Sequence, residues 1–438
     1  MLLHLYLDEV FLVSQFPPPD FVLADSSIHG IEIYKPAPVE DDISTAVVDF
    51  KCPHCGAVTA YSVVEGGLKC THCGFYEVDQ EVVVGKGAQE YEFTLETMGR
   101  AAHGWGEPRK QLACTNCGAR ISLDATDLTA ICPFCASNKV IHQDASQDII
   151  RPRFLIPFRI ETHESHRIVR DWLSNTWMVP KELRKFARIA DFIPIYLPFW
   201  TFDATGSANW QAEVGHTKTE RYYDHSDGAW KTRTKTVWNW ESGTLEMPFD
   251  DVLIQGTKHI SRLLLQRINQ FNLNNLVPYE PSYLAGFQAQ AYDVPLDRAW
   301  KESRRVMREL TREACFDQAT SNLIRNFSMN LDFKDEMWRY ILLPVYVASY
   351  TYGDKVYQAL LNGESGAISG QRPVDWKKVW FVVAALLIPG ILLGIIGLIT
   401  LMFAGIGVLI GGFGFVLLII GIVISVLVFQ KAQGLDDV

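Results

Sequence analysis

The sequence predicts an α+β chain: two small cysteine ribbons, a mixed α+β middle domain with antiparallel sheets, and a C-terminal two-helix transmembrane hairpin. Three observations carry this. Four Cys-x-x-Cys pairs fall into two quartets of one spacing. A long uncharged apolar run closes the chain. Between them, hydrophobic residues alternate at strand period and then at helix period. The chain divides into a leader at 1–45, tandem ribbons at 46–149, a middle domain at 150–372, and a hairpin with a short tail at 373–438.

The leader lacks the pattern of a secretory signal. Asp8 and Glu9 interrupt its apolar stretch, no basic segment precedes it, and the prolines after Phe16 break any helix. It reads as a poorly ordered segment or a docking strand.

The first quartet is Cys52, Cys55, Cys70 and Cys73; the second is Cys114, Cys117, Cys132 and Cys135. Fourteen residues separate the inner cysteines in each quartet. Two Cys-x-x-Cys knuckles on a short ribbon place four thiolates at the corners of a tetrahedron, the arrangement zinc takes in structural sites. Two zinc ions are expected, both structural, because four protein ligands leave no open position for chemistry. Sequential pairing within each quartet is the simpler scheme, and crossed pairing of Cys52/Cys55 with Cys132/Cys135 stays open. Gly56, Gly74 and Gly118 follow the second cysteine of three knuckles, where a positive φ is needed; Ala136 stands there in the fourth. That knuckle is expected to be strained. Val58–Val64 and Leu68 suit strands around a Glu65-Gly66-Gly67 turn, and 121–129 takes the same part in the second ribbon. His54, His72 and His103 read as surface residues. The ninth cysteine, Cys315, reads as a small buried apolar residue.

Charge bears on the partner. The whole chain carries −10, and eight Lys/Arg stand against twelve Asp/Glu between residues 46 and 145. A phosphate-binding surface is basic, so these ribbons favour a protein partner or internal packing over nucleic acid.

In the middle domain, 153–160 reads as a strand, and 163–177 and 181–190 as helices. Ile193–Phe202 is apolar but carries Pro194 and Pro198, which points to an edge or bent strand. Strands rich in Trp, Tyr, Thr and Val continue to Trp240, with His216–Gly228 as a polar loop. Helical period returns over Asp251–Phe271 and over Leu296–Phe327, where Trp300, Met307, Leu310 and Ala314 mark one face. Strands at Ile341–Thr351 and Lys355–Leu361 turn at Gly353-Asp354, and a last strand covers Ala367–Gln371. Tyr196–Phe202 recurs faintly as Leu342–Ala348, each following a strand and a helix. The expected arrangement is a pair of similar halves with helices on one face of the sheet.

From Val379 to Phe429 there are 51 residues without a charge. One span takes about 20 residues, so this run holds two, near Val379–Met402 and Ile406–Phe429 with a turn at Ala404-Gly405. Lys377 and Lys378 before the run and Lys431 after it favour a cytoplasmic location for both ends. With Cys-rich ribbons on the same side, in a reducing compartment, the expected location is the cell inner membrane, multi-pass, with both termini and the ribbons in the cytoplasm. Gly390/Gly394 and Gly407/Gly411 allow close helix packing within the hairpin or in a homo-oligomer. Pro389 is a potential kink.

Chemistry is sparse. No phosphate loop, hydrolase elbow or His-Glu-x-x-His stands in the chain. Asp250, Asp251 and Asp297 read as helix caps rather than cation ligands. Trp200, Trp210, Trp238 and Trp240 read as core. No catalytic residue and no cofactor besides zinc is assigned, and the chain reads as a non-enzyme.

The words Cys52–Cys73, Cys114–Cys135, Tyr196–Phe202, Pro278-Tyr279, Leu284–Phe287, Leu343–Val347 and Leu361-Asn362-Gly363 resemble a bacterial family of membrane-anchored proteins. It joins zinc ribbons of the transcription-factor-IIB type to an aromatic-rich domain and, in many members, C-terminal spans. Its members are often labelled primosomal helicase-like, but the helicase phosphate loop is absent here. The resemblance implies zinc-held ribbons and, through some relatives, envelope-stress assemblies with phage-shock-type or band-7-type proteins. Three functions are expected in this order: a membrane-anchored cytosolic scaffold or adaptor, a membrane-tethered nucleic-acid binder related to replication or transcription, and an enzyme with an unrecognised middle-domain site.

Overall fold

The computed structural model describes residues 21–24, 33–36, 51–78, 83–85, 91–93, 101, 103–105, 109–123, 131–145, 149–180, 192–226, 228–352, 355–400 and 406–436. In chain order the first strands are β1 (Phe21–Ala24), β2 (Ile33–Pro36), β3 (Thr59–Ser62), β4 (Gly67–Cys70), β5 (Tyr76–Val78) and β6 (Tyr91–Glu92). The second ribbon supplies β7 (Lys110–Cys114), β8 (Arg120–Leu123) and β9 (Val140–Asp144). The middle domain follows with β10 (Phe154–Leu155), α1 (Thr162–Ser174), β11 (Ile193–Asp224), β12 (Ala229–Gln255), α2 (Arg262–Ile268), β13 (Val277–Pro278), β14 (Gln288–Gln290), α3 (Leu296–Gln318), β15 (Ile324–Tyr352), β16 (Lys355–Asn362) and β17 (Ile368–Gly370). Two apolar helices close the chain, α4 (Trp376–Thr400) and α5 (Ile406–Asp436). In the leader, β1 and β2 pair antiparallel.

The chain is mixed α and β, and its main sheet is mixed rather than purely antiparallel. β11 and β15 run antiparallel down its centre, while β10 joins β15 and β14 joins β11 in parallel. Alternation along the two central strands builds two cores. Tyr196, Trp200, Phe202, Leu342 and Tyr346 turn to one face, with Val169 and Leu173 of α1 and Ala299, Trp300 and Met307 of α3. Ile195, Leu197, Phe199, Ile341, Leu343 and Val345 turn to the other, against Leu264, Leu265 and Ile268 of α2 and Leu112, Ile121 and Phe134 of the second ribbon. Burial on both faces explains the continuous apolar run at Ile193–Phe202.

That run is therefore not an edge strand. It is central, and Pro198 sits where the partner on one side changes from β14, which ends at Tyr196, to β12, which begins at Phe199. Helices also flank both faces, not one. Four more expectations change. The segment His216–Asp224 is strand, and the loop shrinks to a turn closed by the Gly228 N–H donating to the Asp224 carbonyl at 2.9 Å. The helix read over Asp251–Phe271 is the end of β12 followed by the seven-residue α2. The helix read to Phe327 stops at Gln318, and Leu310 on it is exposed. The strand read over 153–160 narrows to Phe154–Leu155. The helix read at 181–190 and the turns at Gly353-Asp354 and Ala404-Gly405 lie outside the described residues.

The two halves of the middle domain share one plan. β10–α1–β11–β12 and β14–α3–β15–β16 follow the same order. Phe154 and Leu155 pair with Ile341 and Leu342, as Gln288 and Ala289 pair with Ile195 and Tyr196. Leu197 and Leu343 hold matching positions and pair with each other, so a pseudo-twofold axis passes between them. The backbone N–H of Gly256 donates to the Pro198 carbonyl at 2.8 Å, and that of Gly363 to the Pro344 carbonyl at 2.9 Å. Side chains obey the same axis: Trp200 Nε1 donates to the Val294 carbonyl at 2.9 Å, and Tyr346 Oη to the Ile160 carbonyl at 2.6 Å.

α4 and α5 are long and apolar enough to cross a membrane. α4 runs unbroken through Pro389. Gly397 allows the two helices to touch, since a Cβ there would lie 2.4 Å from Gly411 Cα; Gly390 and Gly414 face the partner helix in the same way, whereas the Cβ direction of Gly394 is open. Replacing Gly397 by Leu should push the spans apart and cost about 1–3 kcal/mol. Cysteine cross-linking between the spans in membranes reads this, and unchanged cross-linking efficiency would refute the contact. The hairpin's base is fastened to the middle domain. Arg372 N–H donates to the Leu435 carbonyl at 2.8 Å, Asp375 N–H to the Met178 carbonyl at 2.8 Å, and Lys378 Nζ to the Val179 carbonyl at 3.2 Å. Trp376 packs on Phe429.

Candidate metal centres

Each knuckle is built by the same pair of backbone bonds. In the first, the Cys52 N–H donates to the Ala57 carbonyl at 2.7 Å and the Gly56 N–H to the Cys52 carbonyl at 2.8 Å. Cys70 with Phe75 and Gly74, Cys114 with Ala119 and Gly118, and Cys132 with Ser137 and Ala136 repeat the pattern at 2.8–3.0 Å. The turn requires positive φ at its fifth residue, and Gly56, Gly74 and Gly118 adopt 72°, 73° and 79°. Ala136 adopts 54° there, where a Cβ crowds the backbone. Ala136→Gly should therefore stabilise the protein by about 1 kcal/mol, visible as a higher unfolding midpoint; an unchanged or lower midpoint would refute the strain.

The sulfurs converge within, not across, the quartets. Cys52, Cys55, Cys70 and Cys73 form one group, and Cys114, Cys117, Cys132 and Cys135 the other, with all ligand atoms of a group within 4.8 Å of one another. Sulfur pairs stand at 3.5 Å in the first group and 3.7 Å in the second. Tetrahedral zinc with Zn–S of about 2.3 Å needs roughly 3.8 Å between sulfurs, so both cages fit such an ion. Either group could hold a metal ion.

Their electrostatics point the same way. The backbone N–H groups of Cys73 and His72 pull the Cys70 thiol down to about 6. Burial raises Cys114, but the N–H groups of Cys117 and Asn116 outweigh it and bring that thiol to about 7. Burial pushes Cys117 up to about 11 and raises Cys132 further. Four thiolates so close repel one another, and a divalent cation is what lets all four ionise.

The two centres differ in setting. The first belongs to a separate three-stranded sheet of β3, β4 and β5, with Cys55 and Cys73 exposed. It meets the body through the Tyr61 N–H, which donates to the Ala285 carbonyl at 3.1 Å, and through Tyr61 against Tyr283. The second is part of the main sheet, because β8 pairs with β14. Its last knuckle is clamped: Ser349 Oγ lies 2.7 and 2.8 Å from the Pro133 and Phe134 carbonyls, which share its one proton, and Gln358 Nε2 donates to the Phe134 carbonyl at 2.7 Å. His54, His72 and His103 are exposed.

A third cluster joins Asp250 and Asp251, read from the sequence as helix caps, to Asp203 and Arg339, which the sequence did not single out. Asp203, Asp250 and Asp251 gather at a bulge between β11 and β12, so Asp250 and Asp251 are strand residues rather than helix caps. Arg339, wholly buried, pairs with Asp251 and donates from Nε to Thr201 Oγ1 at 3.1 Å. Asp203 accepts the Asp251 N–H at 2.8 Å, and Asp251 takes a φ of 57°. The guanidinium already neutralises Asp251, and the cluster works as a lock on the bulge. Asp297 does lie in the first turn of α3. Trp200 and Trp210 are core, while Trp240 is exposed.

Comparison with known proteins places little beside this geometry. The chain is 23% identical over 340 residues to the uncharacterized protein YdjG of Bacillus subtilis (strain 168), covering 76% of this chain and 93% of that protein. No family model matches. No solved structure matches either.

Proposed function

We propose that this chain is a membrane-anchored scaffold or adaptor. It is held at the cytoplasmic face of the inner membrane by the α4–α5 hairpin, with both termini and two zinc-loaded ribbons on that side. Lys377, Lys378 and Lys431 support the orientation. The observation that carries the reading is the fastening of the hairpin's base to the middle domain through Arg372, Asp375 and Lys378. A body fixed this way stands at the bilayer as one rigid platform and presents the first ribbon and the sheet to other proteins. The role is non-enzymatic: the zinc ions close the ribbons and leave no ligand position open. The resemblance stated above supports placing it among bacterial envelope-stress assemblies, with phage-shock-type or band-7-type proteins as partners.

Cross-linking mass spectrometry on the chain in its native membrane, with metal analysis of the purified protein, tests this. Reproducible links from the ribbons or the sheet to other proteins, and two zinc ions per chain, are expected. Recovery of lipids and chaperones alone would defeat the scaffold reading, and one zinc or none would defeat the paired ribbons.

A further inference from the structure

We infer that the distal third of the β11–β12 hairpin is an assembly arm that docks on the C-terminal end of α3 of a second copy of this chain. β15 last pairs with β11 at Val214↔Ile324. Beyond it, β11 and β12 continue as a ribbon of two strands from His216↔Val237 to Asp224↔Ala229, about 30 Å long at the usual rise. A lone two-stranded ribbon is marginal in water, and this one is exposed on both faces. Its base is nonetheless held firmly. His216 Nε2 lies 3.2 Å from Glu241, and Arg325 lies over the Trp238 ring at 4.1 Å.

The arm's surface identifies the chemistry of its partner. At its tip Tyr222, Tyr223 and Trp230 are 38%, 42% and 68% exposed. Residues 217–236 carry five Lys/Arg against three Asp/Glu, in a chain where acids outnumber bases 50 to 40. Lys231 and Arg233 are paired within the arm, to Asp224 and Glu220. Lys218 stands directly opposite Lys235; like charges in that relation repel, and a carboxylate brought between them removes the cost. Lys218, Arg221 and Lys235 have no ionic partner among the described residues.

The matching acids lie on the body below the arm. α3 as a whole carries six Lys/Arg against five Asp/Glu, but its last ten residues, 309–318, carry Glu309, Glu313 and Asp317 against Arg312 alone, and Arg312 is paired with Glu309. Glu313 and Asp317 stand one turn apart there, both exposed and both without an ionic partner among the described residues. Gln318, next in the chain, bonds to Trp210 Nε1 of β11 at 2.8 Å, which fixes this end of α3 at the arm's root. Arm and acids of one chain do not meet. Anchored copies in one bilayer stand at the same height, so a neighbour's arm can reach this helix. Edge-to-edge pairing of two β12 strands would align Lys231, Arg233 and Lys235 with their own kind, which such edge cations oppose. The contact therefore joins arm to helix, either exchanged reciprocally between two copies or passed head-to-tail around a ring or along a filament.

The test uses the full chain, in membranes with a lysine-reactive cross-linker and in detergent by sedimentation. The wild type should self-associate and dissociate as salt rises toward about 0.5 M. K218E/K235E and E313K/D317K should each be monomeric, with unchanged unfolding midpoints. Mixing the two, or combining all four changes in one chain, should restore the oligomer. A monomeric wild type, an oligomer indifferent to K218E/K235E, or failure of both restorations would overturn the proposal. Retention on duplex DNA or on phosphatidylglycerol vesicles that K218E/K235E abolishes, with the wild type monomeric, would overturn it too and assign the arm to that surface.

Discussion

Replacing Cys132 by Ser should unfold the body, whereas replacing Cys55 by Ser should unfold the first ribbon alone. Structural zinc is worth about 10–16 kcal/mol in apparent binding free energy near neutral pH. At Cys132 a bound ion would hold a knuckle whose carbonyls receive Ser349 and Gln358 and whose ribbon strand β8 pairs with β14. Losing it opens one face of the core at Phe134, Ile121 and Leu112. At Cys55 the loss reaches a separate small sheet joined to the body through Tyr61. Circular dichroism melting and amide hydrogen exchange distinguish the two outcomes. Equal loss of cooperative unfolding in both variants, or none in Cys132→Ser, would contradict the different attachment of the ribbons. Chelation should reproduce the order, and so should acidification, because protons returned to Cys70 and Cys114 compete with the metal.

The second large effect is expected at Arg339→Met. Arg339 and Asp251 are 0% and 4% exposed in their side chains. Removing one partner of a buried ion pair typically costs about 3–5 kcal/mol, because the other charge is left without compensation. Here it also frees Asp251 from the bulge that aligns β12 on β11. The double variant Arg339→Met with Asp251→Asn should regain part of the loss, since no charge is then stranded. Denaturant unfolding of the full chain in detergent measures both. A single variant within about 0.5 kcal/mol of the wild type would show that the pair does not hold the bulge.

These two sites differ in how far the sequence exposed them. The cysteine quartets are local patterns: a spacing, two turns and a ligand type. The hairpin is local as well, because 51 uncharged residues need no partner to declare themselves. Asp251 and Arg339 are 88 residues apart, and neither flank marks them as a pair. The arm was hidden for a different reason. A strand exposed on both faces has no apolar alternation, so His216–Asp224 reads as a polar loop. Asp251–Phe271 erred in the opposite sense. Leu253 and Ile254 of a strand and Leu264, Leu265 and Ile268 of a short helix merge into one apolar stretch that imitates a single helix. At Ile193–Phe202 the prolines argued for an edge, but a change of strand partner at Pro198 lets a central strand accommodate it.

By itself the sequence determined which eight sulfurs can bind metal, where the strained fourth knuckle lies, and that two apolar helices end the chain. Those properties rest on neighbours a few residues apart or on composition over one segment. Tertiary structure alone decided that the second ribbon is part of the main sheet while the first stands apart. It alone paired the two halves about Leu197 and Leu343, and left nine residues each of β11 and β12 projecting as an arm. Strand pairing joins residues more than a hundred positions apart, and which strand lacks a third partner is known only once every other strand has found its own.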